Sequence, residues 1–229
     1  MMKIIELAQK IDQTNLNPAL GYSDIKKFLV QSKELQFKSV AILPIYTSIA
    51  ANLLKDSLTK VCVAISYPFG NIPYQLKVKE VNHAIDEGAE EIDYVINVLE
   101  LKSGNYQTVL DEAKAIVSAA EGRITKAIIE IWSLNEDEIK AACEIICEAK
   151  VAFVKSSTAF KGYKAMRAGS VDDAKILKKY VRDRAQIKIA GGINSLSLAM
   201  DLLSKGVGRI GTSSGKKIME EFLKSSVDN

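Results

Sequence analysis

Short runs of β-branched and other apolar residues alternate along the chain with longer stretches in which apolar residues recur every three or four positions. The first pattern is typical of buried strands and the second of amphipathic helices. We predict eight strands, at residues 10–14, 39–44, 61–66, 91–97, 125–131, 153–158, 187–192 and 209–214. The predicted helices include residues 2–9, 24–36, 75–87, 106–120, 135–149, 171–181 and 195–204.

This alternation predicts an α/β fold. Eight strand–helix units in 229 residues, about 29 residues each, fit a closed parallel (β/α)8 TIM barrel, with a short helix before the first strand. A doubly wound open sheet is the alternative that the alternation leaves open. Because no Pro- or Gly-rich linker divides the chain, we expect one domain over residues 1–229.

The charge pattern argues against polyanionic and membrane partners. The chain has 31 basic and 28 acidic residues, a net charge of +3, and the basic residues form no long run, so no nucleic-acid partner is expected. The apolar stretches fall short of the roughly 20 residues that span a bilayer, and no signal-like segment opens the chain. Three cysteines are too few for a disulfide framework. We expect a cytoplasmic protein without membrane partners.

Metal chemistry has little support in the sequence. His83 is the only histidine, and it lies in a predicted helix. Cys143 and Cys147 are four residues apart, a spacing that could place two thiolates on one metal, but free cysteines more often behave as small buried apolar residues. We therefore expect no metal site.

Polar residues interrupt four of the predicted strands. Asp12, Asp93, Lys155 and Lys188 each lie inside or near the end of an apolar run. In (β/α)8 barrels the working side chains point inward near the carboxyl ends of the strands. Because side chains alternate along a strand, Asp93 and Lys188 should point into the barrel while their immediate neighbours face the helices.

Two lysines in the barrel interior indicate nucleophilic chemistry. A buried lysine is costly as a cation, and two on adjacent strands should lower each other's pKa. A neutral amine can attack a carbonyl carbon and form a Schiff base. The alternative is a buried ion pair with a carboxylate that only stabilises the barrel.

Two loops near the end of the chain predict a phosphate site. AGGIN (190–194) and GTSSG (211–215) follow strands 7 and 8, each before a helix, where backbone N–H groups and hydroxyls can bind an anion. Barrels often bind phosphate at these two loops. The glycines alone could instead mark tight turns.

These motifs together resemble the deoxyribose-phosphate aldolases over almost the whole chain. The resemblance is carried by IDQT (11–14), VCVAISYPFG (61–70), GAEEIDYVINV (88–98), KAIIE (126–130), FVKSST (153–158), KIAGGI (188–193) and RIGTSSG (209–215). It implies a TIM barrel lyase that reversibly cleaves 2-deoxy-D-ribose 5-phosphate to acetaldehyde and glyceraldehyde 3-phosphate. It also implies that no metal or organic cofactor is needed and that the protein is a homo-oligomer, a dimer by family resemblance.

The resemblance also implies residue roles. Lys155 matches the Schiff-base lysine, Lys188 the second lysine that lowers its pKa and assists proton transfer, and Asp93 the aspartate of the proton relay. Supporting positions match Asp12 and Thr158. Phosphate-binding positions match Gly191, Gly192, Gly211, Ser213 and Ser214.

The chain departs from the family pattern at Ala41, Leu43, Ile131 and Ala159. Loss of an amide at position 43 removes hydrogen-bonding capacity that could read a substrate hydroxyl, so the substrate is less firmly predicted than the reaction class. Another lysine aldolase for a small phosphorylated sugar or aldehyde remains an alternative, as does a barrel that binds a sugar phosphate without turnover. Lys161, Lys164 and Arg167 could add phosphate contacts or form a solvated basic loop.

Overall fold

Eight parallel strands close into a barrel in the computed structural model, which describes residues 3–160, 162 and 167–227, without the side chains of 226 and 227. The strands are β1 (Ile11–Asn15), β2 (Ser39–Ile42), β3 (Lys60–Ile65), β4 (Glu91–Val95), β5 (Ile124–Ile128), β6 (Phe153–Lys155), β7 (Gln186–Ala190) and β8 (Arg209–Thr212). They follow one another in chain order, and β8 pairs with β1. The predicted (β/α)8 TIM barrel is confirmed, and the doubly wound open sheet is wrong.

Helices connect the strands. They are α1 (Ile4–Ala8), α2 (Tyr22–Glu34), α3 (Thr47–Leu54), α4 (Tyr74–Asp86), α5 (Val98–Lys102), α6 (Tyr106–Ala119), α7 (Glu136–Glu148), α8 (Val171–Val181), α9 (Leu196–Ser204) and α10 (Gly215–Val227). The predicted helix before the first strand is α1, which packs against α10. In the described part of the chain, no helix is long and apolar enough to cross a membrane.

The core is an apolar shell between strands and helices. Ile92 and Tyr94 of β4 and Ile187 and Ile189 of β7 pack into this shell. Their neighbours Asp93 and Lys188 point into the barrel lumen instead, where they contact each other. The predicted alternation is therefore confirmed on both strands, and it separates an apolar outer layer from a polar interior.

Candidate active site

A closed ring of alternating charges fills the lumen. It is built by three cations and three carboxylates from β1, β4, β5, β7 and β8, all buried. Around the ring the nitrogen–oxygen distances are Arg209–Glu91 2.9 Å, Glu91–Lys126 2.7 Å, Lys126–Asp93 2.8 Å, Asp93–Lys188 2.8 Å, Lys188–Asp12 2.6 Å and Asp12–Arg209 2.5 Å. Each charge is thus balanced by two neighbours of opposite sign.

Asp93 is the centre of this network. Its Oδ1 accepts a hydrogen bond from Lys126 Nζ, while its Oδ2 accepts from both Lys155 Nζ, at 2.7 Å, and Lys188 Nζ, at 2.8 Å. Burial alone would raise the pKa of Asp93, but the three lysines outweigh burial and hold the pKa well below its ordinary value. The carboxylate stays ionised and joins Lys155 to the ring.

The charge count of the lumen leaves one cation too many. With Lys155 included there are four basic side chains and three carboxylates, and among the described residues Lys155 forms an ion pair with Asp93 alone. Burial and the positive charge of Lys188 together lower the pKa of Lys155 below its ordinary value, against the opposing effect of Asp93. Lys155 is therefore the amine that loses its proton most easily in this cluster.

The expected mutual lowering of the two lysine pKa values is correct for Lys155 and wrong for Lys188. Burial would lower the pKa of Lys188, but Asp12 and Asp93 outweigh it and raise the pKa above its ordinary value. The physical reason is the second carboxylate, Asp12, whose Oδ2 lies 2.6 Å from Lys188 Nζ and which Lys155 does not reach.

Three ring members were not predicted from the sequence. Lys126 interrupts the apolar run of β5 just as Lys155 interrupts β6, so the same signal could have found it. Glu91 and Arg209 stand at the first positions of β4 and β8, where a charged residue usually marks the solvated start of a strand. Here both are buried because they pair with each other across the lumen.

A cavity of about 670 Å³ opens beside the ring. It is lined by the loops after β1, β6, β7 and β8 together with Tyr67 from the loop after β3. Lys155 is the one charged side chain among the described residues that line it. Asp12, Asp93 and Lys188 are not part of the lining, so Lys155 connects the ring to the cavity.

All five predicted phosphate-binding residues line this same cavity. They are Gly191, Gly192, Gly211, Ser213 and Ser214. Gly192 has a φ of +68°, and a Cβ there would lie 2.6 Å from Cβ of Ala168, so the close approach of the loop after β7 to the connection between β6 and α8 requires glycine. The structure thus brings the two glycine-containing loops and Lys155 around one space.

Hydrogen bonds hold the two loops in place. The Thr212 hydroxyl donates to the carbonyl of Ile193 at 2.5 Å and accepts from the N–H of Ser214 at 2.9 Å, which ties the loop after β8 to the loop after β7. Gln13 accepts from the N–H of Gly215, the first residue of α10. The start of α10 is therefore fixed beside the cavity.

The loop after β6 carries the predicted supporting residue Thr158 into the cavity lining. Ala159 follows in a left-handed conformation, with φ +60°, and it also lines the cavity. Of the four departures from the family pattern, Ala159 is the one that reaches the described cavity lining. Arg167 forms an ion pair with Asp173, whereas Lys161 and Lys164 lie outside the described residues.

The fold and the site are those of an aldolase of the (β/α)8 barrel type. Residues 6–221 match the model of the DeoC/LacD family aldolases. The chain belongs to this family, whose members are carbon–carbon lyases.

Relatives of nearly equal length support this assignment. A deoxyribose-phosphate aldolase from Carboxydothermus hydrogenoformans is 40% identical over 227 residues, which cover 97% of this chain and 98% of the relative. A deoxyribose-phosphate aldolase from Aquifex aeolicus is 37% identical over 221 residues, 96% of this chain and 98% of the relative.

Solved structures agree in fold. The structure described as "QR15, an Aldolase" superposes with a TM-score of 0.91 at 36% identity and covers 98% of this chain and 99% of that chain. The tetrameric deoxyribose phosphate aldolase from Aeropyrum pernix superposes with a TM-score of 0.88 at 26% identity, over 97% of this chain and 93% of that chain.

Proposed function

We propose that the protein is a class I aldolase that reversibly cleaves 2-deoxy-D-ribose 5-phosphate to acetaldehyde and D-glyceraldehyde 3-phosphate through a Schiff base on Lys155. One observation carries the proposal. Among the described residues, Lys155 is the basic side chain that lines the cavity at the two glycine-containing loops, and it is the lysine of the luminal charge cluster whose pKa is lowered.

The first step uses the neutral amine of Lys155. It attacks C1 of the open-chain sugar to form a carbinolamine, and uptake of one proton with loss of water gives a positively charged iminium. This iminium carries a positive charge at the position beside Asp93 that the ammonium form of Lys155 would occupy. Asp93 Oδ2, 2.7 Å from Lys155 Nζ, stabilises the cation at that position.

Carbon–carbon cleavage follows from the iminium. Acetaldehyde contains C1 and C2 of the sugar, so the bond that breaks is C2–C3. A base removes the proton of the C3 hydroxyl, C3 becomes the aldehyde carbon of glyceraldehyde 3-phosphate, and the bonding electrons move through C2 to the iminium nitrogen, giving an enamine. Protonation of C2 and hydrolysis then release acetaldehyde and restore the amine.

Lys188 and Asp93 are the proposed proton-transfer groups. The same oxygen, Asp93 Oδ2, accepts hydrogen bonds from Lys155 Nζ and Lys188 Nζ, which provides a short path between the two amines. Because the pKa of Lys188 is raised, it retains its proton when Lys155 has lost one. Asp12 supports this assignment by holding the Lys188 ammonium from the other side.

The sugar phosphate is proposed to bind where the loops after β7 and β8 meet the start of α10. Backbone N–H groups of glycine-rich loops and helix starts suit a phosphate dianion. Gly191, Gly192, Gly211, Ser213 and Ser214 line this end of the cavity, and Thr158 lies on the side of Lys155. No metal or organic cofactor is required by this reaction.

A substrate panel tests the proposal. Release of acetaldehyde is measured from 2-deoxyribose 5-phosphate, from unphosphorylated 2-deoxyribose and from other phosphorylated aldehyde sugars, with Lys155→Met as the control. The highest kcat/KM for 2-deoxyribose 5-phosphate is expected. A higher kcat/KM for another phosphorylated sugar would keep the lysine mechanism and assign a different substrate, whereas a Lys155→Met protein as active as wild type would exclude Schiff-base catalysis at this residue.

A further inference from the structure

The carboxylate of Glu130 is a buried group that the mechanism above does not use. Glu130 follows β5 and is 4% exposed. No ion pair joins it to a basic side chain over the part of the chain that the structure describes, so its carboxylate is held by neutral donors. Such a group is costly to bury and calls for an explanation.

The backbone turns Glu130 toward the segment that follows the proposed Schiff-base lysine. The N–H groups of its neighbours Ile129 and Ile131 donate to the carbonyls of Lys155 and Ser156, at 3.0 and 2.8 Å. Between these two bonds Glu130 has a left-handed conformation, with φ +52° and ψ 55°. This conformation is strained for a residue with a side chain.

The carboxylate bridges two loops. Its Oε1 accepts a hydrogen bond from the N–H of Thr158, and its Oε2 accepts one from the indole N–H of Trp132. The hydroxyl of Thr158 also hydrogen-bonds to Glu130 and accepts from the N–H of Phe160 at 3.2 Å. Glu130 thereby fixes three consecutive residues, 158–160, of which Ala159 carries a further left-handed conformation.

These residues form a wall of the cavity. Thr158, Ala159 and Phe160 all line it. The Phe160 ring packs edge-on against Tyr67 and Phe69 from the loop after β3, with ring centroids 6.2 and 5.9 Å apart. The Tyr67 hydroxyl donates to the Thr158 carbonyl at 3.4 Å. The wall therefore depends on the conformation that Glu130 imposes.

Resting on the proposed function, we propose that Glu130 is a positioning residue of the aldolase site, which acts through Thr158 and Phe160 on the part of the substrate beyond the Schiff base. Glu130 does not line the cavity, and within the described residues it forms no ion pair with Lys155, although the charge of Lys155 partly offsets the rise in the Glu130 pKa that burial causes. A two-carbon aldehyde bound to Lys155 needs only the lysine, whereas the five-carbon substrate extends along the wall. Loss of Glu130 should therefore impair cleavage of the five-carbon substrate but not adduct formation with the two-carbon aldehyde.

Glu130→Gln is the first variant to test, because an amide cannot accept from both N–H donors at once. Glu138→Gln is the matched control: Glu138 also accepts a hydrogen bond from a backbone N–H, that of Asn135 at 2.8 Å, in the same stretch of chain but away from the cavity. Trp132 is the only tryptophan in the chain, so its emission reports directly whether the contact with Glu130 is lost.

We expect four results for Glu130→Gln. The kcat/KM for 2-deoxyribose 5-phosphate falls about tenfold or more, the effect of losing a buried hydrogen bond to a charged group. Borohydride trapping of acetaldehyde on Lys155 stays within about threefold of wild type, because the two-carbon adduct does not extend along the wall that Glu130 positions. Amide hydrogen exchange speeds up in a peptide that covers residues 153–160, and Trp132 emission shifts. Glu138→Gln changes none of these.

Two outcomes would overturn the inference while leaving the proposed function intact. One is a shifted Trp132 emission with kcat and KM unchanged. The other is a loss of acetaldehyde trapping as complete as in Lys155→Met, because Glu130 would then act on the lysine itself. Should Glu130→Gln not fold, Glu130→Asp serves instead: it keeps the charge, but the carboxylate is one methylene short of Thr158, and the same loss of kcat/KM is expected.

A wrong proposed function would give different experimental results. If the wild-type protein forms no adduct with any carbonyl compound and cleaves no sugar phosphate, the proposed function is wrong, and the role of Glu130 in catalysis is wrong with it. If wild type is active and only the variant comparison fails, the role of Glu130 alone is wrong.

Discussion

Single residues in the lumen differ in protonation because they reach different numbers of carboxylates. Lys126 contacts Glu91 and Asp93, Lys188 contacts Asp12 and Asp93, and Lys155 contacts Asp93 alone. Burial lowers the pKa of a lysine in each case, but only at Lys155 does burial prevail. One missing carboxylate thus separates the proposed nucleophile from two lysines that remain charged.

Replacement of Lys188 by methionine tests this electrostatic account. The positive charge of Lys188 lowers the pKa of Lys155, so its removal raises that pKa. The acid limb of the pH profile for adduct formation should therefore move to higher pH in Lys188→Met. Lys175→Met, at an exposed position on α8, is the control. An unchanged acid limb in Lys188→Met would contradict the account.

Among the secondary-structure elements, the loops after β7 and β8 act as one unit with the start of α10. Thr212 links them by donating to Ile193 and accepting from Ser214. A phosphate held by backbone N–H groups depends on such links, because they keep the donors aligned.

Thr212→Val removes the hydroxyl but keeps the shape of the side chain. The KM for 2-deoxyribose 5-phosphate should rise about tenfold, the effect of about 1.4 kcal/mol from the lost hydrogen bonds. The kcat/KM for unphosphorylated 2-deoxyribose should not change. Thr59→Val, at a buried threonine that bonds to Ser32 and lies outside the described cavity lining, is the control. An equal loss with both substrates would show that Thr212 does not act through the phosphate.

The extent of sequence-based prediction differs among the elements. All eight strands were predicted because their β-branched runs are distinct, but several were predicted too long. The predicted strand 153–158 ends at Lys155, and residues 158–160 form the cavity wall instead. Helix α3 was not singled out because its eight residues, TSIAANLL, are too few to establish a helical period. Helix α5 is only five residues long.

The site could be predicted only in part, because some of its residues give no local signal in the sequence. Lys155 and Lys188 stand out because each is a charge inside an apolar strand. The closing members of the ring, Glu91 and Arg209, lie 118 positions apart in sequence and start their strands, so only the barrel closure reveals that they meet at 2.9 Å. Likewise, nothing in the sequence around Glu130 indicates its contacts with Thr158 and Trp132.

For the molecule as a whole, the ring of charges contributes to the stability of the barrel and also contains residues of the candidate active site. Five of the eight strands contribute to it, and it holds the lumen together where a barrel otherwise has apolar packing. Buried ion pairs add little net stability when complete, but the removal of one partner leaves an uncompensated charge. The homo-oligomer expected by family resemblance stays a prediction.

Arg209→Met tests the ring as a structural element. Asp12 and Glu91 would each lose a partner, and the free energy of unfolding should fall by about 3–5 kcal/mol. Urea unfolding followed by circular dichroism measures the change. Lys114→Met, which breaks the exposed pair with Glu148, should have almost no effect. Equal stability of Arg209→Met and Lys114→Met would refute a structural role for the ring.

The assignment of Lys155 as the Schiff-base lysine is tested most directly by chemical trapping. The protein is incubated with 2-deoxyribose 5-phosphate, reduced with borohydride, and analysed by intact-protein and peptide mass spectrometry. A single stable adduct on Lys155 is predicted, absent in Lys155→Met and still formed in Lys175→Met. An adduct on Lys126 or Lys188, or no adduct with any carbonyl compound, would contradict the mechanism.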